Sequence, residues 1–228
     1  MKIKLKYLIG IIILIASMIL ILAADTGYKS PTATGEDYNQ WTLPTNAYSS
    51  NNNYASETTA GQEQDYYNFG FSIPSGATID GVEVSLEGQC SGEMIINGDR
   101  VDVKVDLSDN GGTSYGTKKI KSFSNFGSDV TQTLGGPTSG NTYWGLTLTD
   151  TDFSNVNFRV RIEMDRVTGG ATGIFLDHIQ VKVYYTEATG GTCWSYGTYG
   201  YYIPRNCTCY ISGNAQILNL SNAYCWSG

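Results

Sequence analysis

Apolar and polar residues alternate in five segments of the chain, at 81–87, 100–107, 144–148, 158–164 and 179–185. Side chains point to opposite faces along a β-strand, so this period of two predicts five strands that are each apolar on one face. One dry and one wet face per strand are typical of antiparallel sheets packed as a sandwich. The predicted inward residues are Val82, Val84, Leu86, Val101, Val103, Val105, Leu107, Trp144, Leu146, Leu148, Phe158, Val160, Ile162, Met164, Ile179, Val181, Val183 and Tyr185.

Glycine-containing turns separate these segments. Asn97-Gly98 and Gly169-Gly170 are two examples, and they supply residues that tolerate a positive φ where tight turns between strands need it. After residue 24, the chain shows no convincing 3.6-residue period of an amphipathic helix. The predicted fold class is therefore all-β, an antiparallel β-sandwich with little helix beyond one N-terminal hydrophobic segment.

That N-terminal segment reads as a signal peptide or membrane anchor, at 1–24. Lys2, Lys4 and Lys6 precede an uncharged run at 7–24. The run is longer than the ~7–15 residues of an ordinary export signal and reaches the ~17–25 residues of a membrane-spanning helix. A poor A-x-A cleavage pattern favours an uncleaved anchor. The lysines place the N-terminus in the cytoplasm if the anchor is retained, and the remainder at the cell surface or outside the cell.

Several further stretches resemble a known kind of module. They are 41–47 (WTLPTNA), 54–55 (YA), 69–84 (FGFSIPSGATIDGVEV), 143–149 (YWGLTLT) and 181–186 (VKVYYT). Together they resemble the jelly-roll-type β-sandwich module that recurs in secreted microbial, archaeal and virion surface proteins. The resemblance covers 38–186 and implies a display or adhesion role, with no catalytic residues to transfer.

A change in composition marks the remaining boundaries. A polar linker at 25–37 precedes the sandwich domain at 38–186, and a second linker at 187–192 precedes a tail at 193–228. The tail is rich in cysteine and aromatic residues and has one charged residue, Arg205. Because so short a segment hardly forms its own core, we expect a small β-rich tail that packs on the sandwich, self-assembles with another copy, or begins a repeat.

Cysteines and sequons in the tail suggest covalent modification. On an exported chain the tail cysteines predict disulfides, with connectivity left open, while a zinc site is disfavoured because the spacing lacks a C-x2-4-C pair. Cys90 is left over and is expected to be a small buried side chain rather than an intermolecular thiol. The candidate disulfide cysteines are Cys193, Cys207, Cys209 and Cys225, and the candidate glycosylation sites are Asn206 and Asn219.

The charge balance excludes one class of partner. With a net charge of −7 and a pI near 4.6, the chain lacks the basic surface that neutralises phosphates, so nucleic-acid binding is not expected. A membrane, through the N-terminal segment, and a protein or glycan surface are the partners that the sequence favours.

Catalytic signatures are weak. Gly112 to Gly116 fits a G-x-S-x-G string, but no strand and helix surround Ser114 as a nucleophile elbow requires. His178, the only histidine, is expected on the solvated face of the last strand beside Asp177. We therefore expect no enzyme activity and no catalytic residue.

Two loops and three tryptophans provide the candidate ligand-binding residues. Oxygen-rich segments at 106–111 and 150–155 contain calcium-type ligands, although plain turns are the favoured interpretation and no cofactor is required. Tryptophan rings could stack on sugars. The calcium candidates are Asp106, Asp109, Asp150 and Asp152, and the sugar-stacking candidates are Trp41, Trp194 and Trp226.

The sequence thus favours an exported, non-enzymatic surface protein that acts in display, adhesion or assembly. The alternative is a lectin-like carbohydrate-binding module, assisted by calcium in one version. Fold similarity alone does not separate these functions.

Overall fold

The computed structural model describes residues 23–138 and 143–188, together with the backbone of 209–211 and 214–216. The chain divides into two units, Met1–Glu187 and Ala188–Gly228. In the described part of the first unit the strands are β1 (Ala23–Asp25), β2 (Ala33–Asn39), β3 (Ala55–Glu57), β4 (Glu63–Tyr67), β5 (Thr78–Gly92), β6 (Arg100–Ser108), β7 (Lys119–Phe123), β8 (Val130–Gly135), β9 (Arg159–Thr168) and β10 (Ala171–Thr186). Two 3-10 helices, Pro44–Ala47 and Asp150–Phe153, lie in the connections.

These strands form two five-stranded sheets. The first sheet has the order β1-β10-β5-β8, with β3 also paired to β10, and the second has the order β2-β4-β9-β6-β7. All strand pairs in the two sheets are antiparallel. Apart from the β6–β7 hairpin, each connection passes from one sheet to the other, as is typical of jelly-roll-type sandwiches. The predicted all-β antiparallel sandwich is confirmed.

The long strands β5 and β10 define the two ends of the sandwich. They pair from Thr78 opposite Thr186 at one end to Gly92 opposite Ala171 at the other. β1 joins at the first end, where Ala23 lies opposite Thr186. At ~3.3 Å per residue, the 16 residues of β10 extend over about 50 Å. The β5–β6 connection therefore lies at the end away from β1.

The core contains the residues that alternation selects. All 18 predicted inward side chains pack into it; Leu146 is half-buried and the others are buried. Burying aliphatic and aromatic side chains of this size stabilises a fold by about 1.5–3 kcal/mol each before chain entropy is subtracted. The alternating pattern therefore identified the faces that the two sheets bury against each other.

One of the five predicted strands is wrong. Residues 144–148 form a turn and an irregular segment rather than a strand. Gly145 has a φ of +69°, which an extended strand does not contain, and the Trp144 indole Nε1 donates a hydrogen bond to the Val82 carbonyl at 3.0 Å. Trp144 and Leu148 are buried by packing rather than by strand alternation.

Predictions at the chain termini fall mostly outside the described residues. The segment 1–22 lies outside them, while Ala23 and Ala24 belong to β1 rather than to a helix. β2 (Ala33–Asn39) begins within 25–37, the predicted linker, so the sandwich includes part of this segment. Within the described part of the chain, no helix has the length and apolar character needed to cross a bilayer. In the second unit, the described backbone is a hairpin of β11 (Cys209–Ile211) and β12 (Asn214–Gln216).

Candidate functional site

The outer face of the second sheet carries charged side chains in rows that cross β4, β9 and β6. The register aligns Asp65, Arg161 and Asp106 in one such row. Alternation predicts a solvated face here, yet all three of these side chains are buried, so the expectation of a wet exterior is wrong at this surface. We call it the charged face; it comprises Glu63, Asp65, Tyr67, Asp102, Lys104, Asp106, Arg159, Arg161, Glu163 and Asp165, together with Tyr38, Tyr115 and Lys118, which contact them.

Arg161 lies at the centre of the charged face. Its Nε and Nη2 donate to Asp65 Oδ1 and Oδ2 at 2.7 and 3.0 Å, a two-point contact that fixes the guanidinium plane. The guanidinium carbon lies 3.9 Å from the ring centroid of Tyr38 and 3.6 Å from that of Tyr115. The Tyr115 hydroxyl also donates to Asp65 Oδ2 at 2.7 Å. Cation–π and hydrogen-bond contacts therefore hold both rings in place.

A bulge in β2 brings Tyr38 over the sheet. Thr34 pairs with Tyr66 and Asn39 with Gln64, so four residues of β2 lie opposite one residue of β4. Glu36 within the bulge has a φ of +67°, a left-handed conformation that is uncommon outside glycine. Bulges of this kind redirect side chains at sheet edges and are common next to functional sites.

The same bulge covers a second arginine. Arg159, buried on β9, donates from Nη1 to Asp37 Oδ2 at 3.3 Å and from Nη2 to Glu36 Oε2. Its guanidinium also lies over the Tyr67 ring, 4.7 Å from the centroid. Arg159 Nε is buried and has no acceptor among the described residues. The arginine therefore retains one unused donor beneath the bulge.

Tyr115 is positioned by the loop that follows β6. Ser108 Oγ accepts a hydrogen bond from the Gly112 amide at 2.9 Å, and the Gly116 amide donates to the Leu107 carbonyl at 2.9 Å. A Cβ at Gly116 would lie only 2.1 Å from the Trp144 carbonyl oxygen. Glycine is therefore needed directly after Tyr115 for the loop to pack this closely.

Lysines neutralise the opposite edge of the charged face. Lys118 Nζ lies 2.6 Å from Glu63 Oε1 and also contacts Glu163 Oε2, while Lys104 Nζ lies 3.0 Å from Glu163 Oε1. Burial opposes ionisation of Glu163, but hydrogen bonds from both lysines lower its pKa overall. Glu163 is therefore held as a carboxylate with its oxygens in use.

Asp106 differs from the other carboxyl groups of this face. Burial raises its pKa to about 7, against the opposing attraction of Lys118 and Arg161. Asp106 is buried and lies opposite Arg161 in the register of β6 and β9. Groups with such shifted pKa values concentrate at functional sites.

Of the three tryptophans predicted to stack on sugars, the structure describes Trp41, and for this residue the prediction is wrong. Trp41 is buried, and its indole Nε1 donates to the Gln62 carbonyl at 3.1 Å, so its ring is unavailable to a ligand. Trp194 and Trp226 lie outside the described residues. The exposed aromatic ring of the charged face is Tyr38, which sequence reasoning did not select because its exposure depends on the β2 bulge.

The four aspartates predicted as calcium ligands lie in different parts of the structure. Asp106 is buried in the charged face, whereas Asp109 is half-buried in the β6–β7 connection. Asp150 Oδ2 accepts the Gly76 amide at 2.8 Å, and Asp152 Oδ2 accepts the Thr149 amide at 2.7 Å in a capping box. The structure does not bring these four together.

A different acidic group lies on the first sheet. Glu87, Asp129 and Asp177 place carboxylate oxygens within 4.8 Å of one another, and this is the one such group found in the described part of the chain. Burial and the charges of Asp177 and Glu87 raise the pKa of Asp129. These residues were not predicted because they are separated by 42 and 48 positions, and only strand pairing brings them together.

The serine and histidine considered for catalysis have other partners. His178 Nε2 is hydrogen-bonded to Ser30 Oγ at 2.8 Å, while Ser114 Oγ accepts from Asn110 Nδ2 at 2.8 Å. His178 is half-buried rather than solvated as predicted, and burial lowers its pKa. Asp177 is buried and accepts the Asn51 amide.

The tail candidates remain predictions. The side chains of Cys193, Cys207, Cys209, Cys225, Asn206 and Asn219 lie outside the described residues. Cys90 is buried, and its thiol donates to the Phe123 carbonyl at 3.0 Å, as expected for a small core side chain.

Neither a protein-family model nor a curated protein matches the chain. Solved structures that are similar include the CBM22-1 xylan-binding domain of Xyn10C from Paenibacillus barcinonensis, with 10% identity, a TM-score of 0.33, and coverage of 74% of this chain and 96% of that one. TmCBM61 in complex with β-1,4-galactotriose has 9% identity and a TM-score of 0.32, covering 68% and 88%. The GH115 4-O-methyl-α-glucuronidase BtGH115A has 11% identity and a TM-score of 0.31, covering 71% of this chain but 18% of that one.

Proposed function

We propose that the protein binds glycans through the charged face, without catalysing a reaction there. The observation that carries this proposal is the stack of Tyr38, Arg161 and Tyr115, because it fixes an exposed aromatic ring within the charged face. Sugar rings have an apolar face that packs on aromatic rings, and hydroxyl groups that form strong hydrogen bonds with charged groups. The charged face therefore gives a physical basis for the alternative that the sequence raised, a lectin-like carbohydrate-binding module.

Preorganisation supports the same proposal. Arg161 and buried Asp65 hold the rings of Tyr38 and Tyr115, and Lys118 holds Glu63, so these groups lose little freedom when a ligand binds. Hydrogen bonds from Lys118 and Lys104 lower the pKa of Glu163, so this carboxylate is not suited to supplying protons in a reaction.

The chain offers a matched control for the test. Tyr38 and Tyr28 are 38% and 39% exposed, but Tyr28 contacts Glu83 and Lys182 at the first sheet, away from the charged face. On an array of neutral and acidic oligosaccharides, we expect Tyr38→Ala to reduce binding at least tenfold and Tyr28→Ala to leave it unchanged. Equal effects, or no binding by the wild-type protein, would refute the proposal. Repeating the array with a chelator tests whether calcium contributes.

Display or adhesion is the second candidate function. One observation favours it: the loop after β5 exposes consecutive aliphatic side chains at the end of the sandwich away from β1. If the N-terminal segment anchors the chain, this loop lies at the outer end of the sandwich. In that arrangement the protein would present the loop to another surface.

A further inference from the structure

An apolar tip projects from the β5–β6 connection. Met94, Ile95 and Ile96 are 60%, 73% and 62% exposed, although three adjacent aliphatic side chains would ordinarily be buried. Val167, near the end of β9, is also exposed beside them at this end of the sheet. We use the name apolar tip for Met94–Ile96.

Part of the backbone of the apolar tip is already hydrogen-bonded within the protein. The amides of Ile95 and Ile96 both donate to the carboxylate Oδ2 of buried Asp99, at 2.7 and 3.0 Å, and the Asp99 amide donates to the Ile96 carbonyl at 3.3 Å. The Glu93 amide donates to the Gly170 carbonyl at 3.2 Å. Satisfied backbone groups lower the cost of entering hydrocarbon, and these contacts satisfy two amides of the tip and the Ile96 carbonyl.

Close packing also fixes the shape of the tip. A Cβ at Gly170 would lie 2.2 Å from the Glu93 carbonyl oxygen and 2.5 Å from Ile95 Cγ1. The turn between β9 and β10 therefore supports the tip from below, and only glycine leaves room for this contact. The three side chains project from a supported base rather than from an unpacked loop.

The form and surroundings of the tip favour a lipid surface over a protein partner. A stable protein interface buries about 800 Å² on each partner, which three side chains on a convex loop cannot supply alone. A bilayer surrounds a projection on all sides, so insertion uses the entire exposed apolar area. Arg100 and Arg166 lie at the base of the tip, with side chains 36% and 60% exposed, where guanidinium groups would meet phosphate groups.

We propose that the apolar tip inserts into the surface of a phospholipid bilayer and docks this end of the sandwich on it. Arg100 and Arg166 share Asp102, and Glu93 and Asp99 lie beside them, so the region has no net positive charge. Insertion therefore depends on apolar burial, and anionic lipid is not required. This proposal is independent of glycan binding, because it uses none of the contacts around Arg161.

The hydrophobic run at 7–24 could itself enter a bilayer, so the test must report on the tip alone. We would place tryptophan at the tip with Ile95→Trp, and as a matched control use Val156→Trp. Val156 is 69% exposed and lies just before β9, at the opposite end of the second sheet. The full chain is mixed with phosphatidylcholine vesicles that contain brominated phosphatidylcholine as the quencher. One set of vesicles also contains phosphatidylglycerol, at about a quarter of the lipid, and the other set contains none.

We expect quenching and a blue shift of emission for Ile95→Trp but not for Val156→Trp, without any requirement for phosphatidylglycerol. Adding Met94→Ser and Ile96→Ser to Ile95→Trp should raise the vesicle concentration for half-maximal quenching at least tenfold. Equal quenching at both positions would overturn the proposal, as would quenching that needs the anionic lipid. Self-association without vesicles that Met94→Ser and Ile96→Ser abolish would instead identify the tip as an interface between copies and also overturn it.

Discussion

Arg161 on β9 donates hydrogen bonds to both carboxylate oxygens of Asp65 on β4, at 2.7 and 3.0 Å. The pair lies on the face of the sheet that points away from the core. Both side chains are buried because Tyr38 and Tyr115 pack against the guanidinium group. An ion pair on an outer sheet face is usually solvated and contributes little to stability. Here the covering aromatic rings convert it into a buried pair.

Removing one partner of this pair should therefore be costly. We predict that Asp65→Asn lowers the free energy of unfolding by about 3–5 kcal/mol, because buried Arg161 loses its two-point carboxylate partner and keeps only Glu63, whose Oε2 lies 3.4 Å from Nη1. Asp37→Asn is the control: its carboxylate is exposed and pairs with Arg159 at 3.3 Å, so its loss should cost less than about 1 kcal/mol. Urea unfolding of both variants measures the difference, and similar costs would contradict the buried-pair interpretation.

The sequence contained part of this information. Alternation placed Arg159, Arg161 and Glu163 together on the outward face of β9, and this is correct. It could not show that these outward residues are covered, because the cover comes from distant segments: the β2 bulge at Glu36 and the loop at Tyr115. Periodicity reports the two faces of a strand, but not what packs against each face.

The failures of sequence reasoning have the same origin. Residue type alone marks Trp41 as a candidate ligand-binding ring, but it does not reveal that the ring is buried. Trp144 matched an alternating pattern although Gly145 turns the chain there. The acidic group of Glu87, Asp129 and Asp177 depends on pairing among β5, β8 and β10, which no local pattern encodes.

Asp106 predicts a pH dependence of stability. Its pKa is about 7 in the folded protein and near 3.8 when exposed, so the folded state retains this proton where the unfolded state has lost it. Stability from Asp106 is therefore complete below about pH 4 and is lost as the pH rises through 7. We predict that the stability of wild type relative to Asp106→Asn falls by up to about 4 kcal/mol over this range.

Denaturant titrations of the two proteins at matched pH values test this prediction. Using the difference between them removes the contributions of carboxyl groups such as Glu163, whose lowered pKa acts in the opposite direction. A constant difference from pH 4 to 8 would show that folding does not raise the pKa of Asp106, and would contradict this prediction.

Gly116 links the loop geometry to the charged face. We predict that Gly116→Ala destabilises the protein by about 1–3 kcal/mol, because its Cβ would overlap the Trp144 carbonyl oxygen and displace the neighbouring Tyr115. Thermal unfolding gives the stability change, and the glycan array gives the effect on binding. Gly98→Ala provides a comparison, since its added Cβ meets nothing within 4 Å although its positive φ costs some strain. If both substitutions reduce glycan binding equally, the position of Tyr115 does not matter for binding.

The most direct test of the account is an NMR titration of the ¹⁵N-labelled protein with the oligosaccharide that binds best on the array. The account predicts that shifts concentrate at Tyr38 in β2, Asp65 in β4, Arg161 in β9 and Tyr115 in the loop after β6, and that Tyr38→Ala abolishes them. Saturable shifts confined to the first sheet or to residues 189–228, with the charged face unchanged, would contradict it.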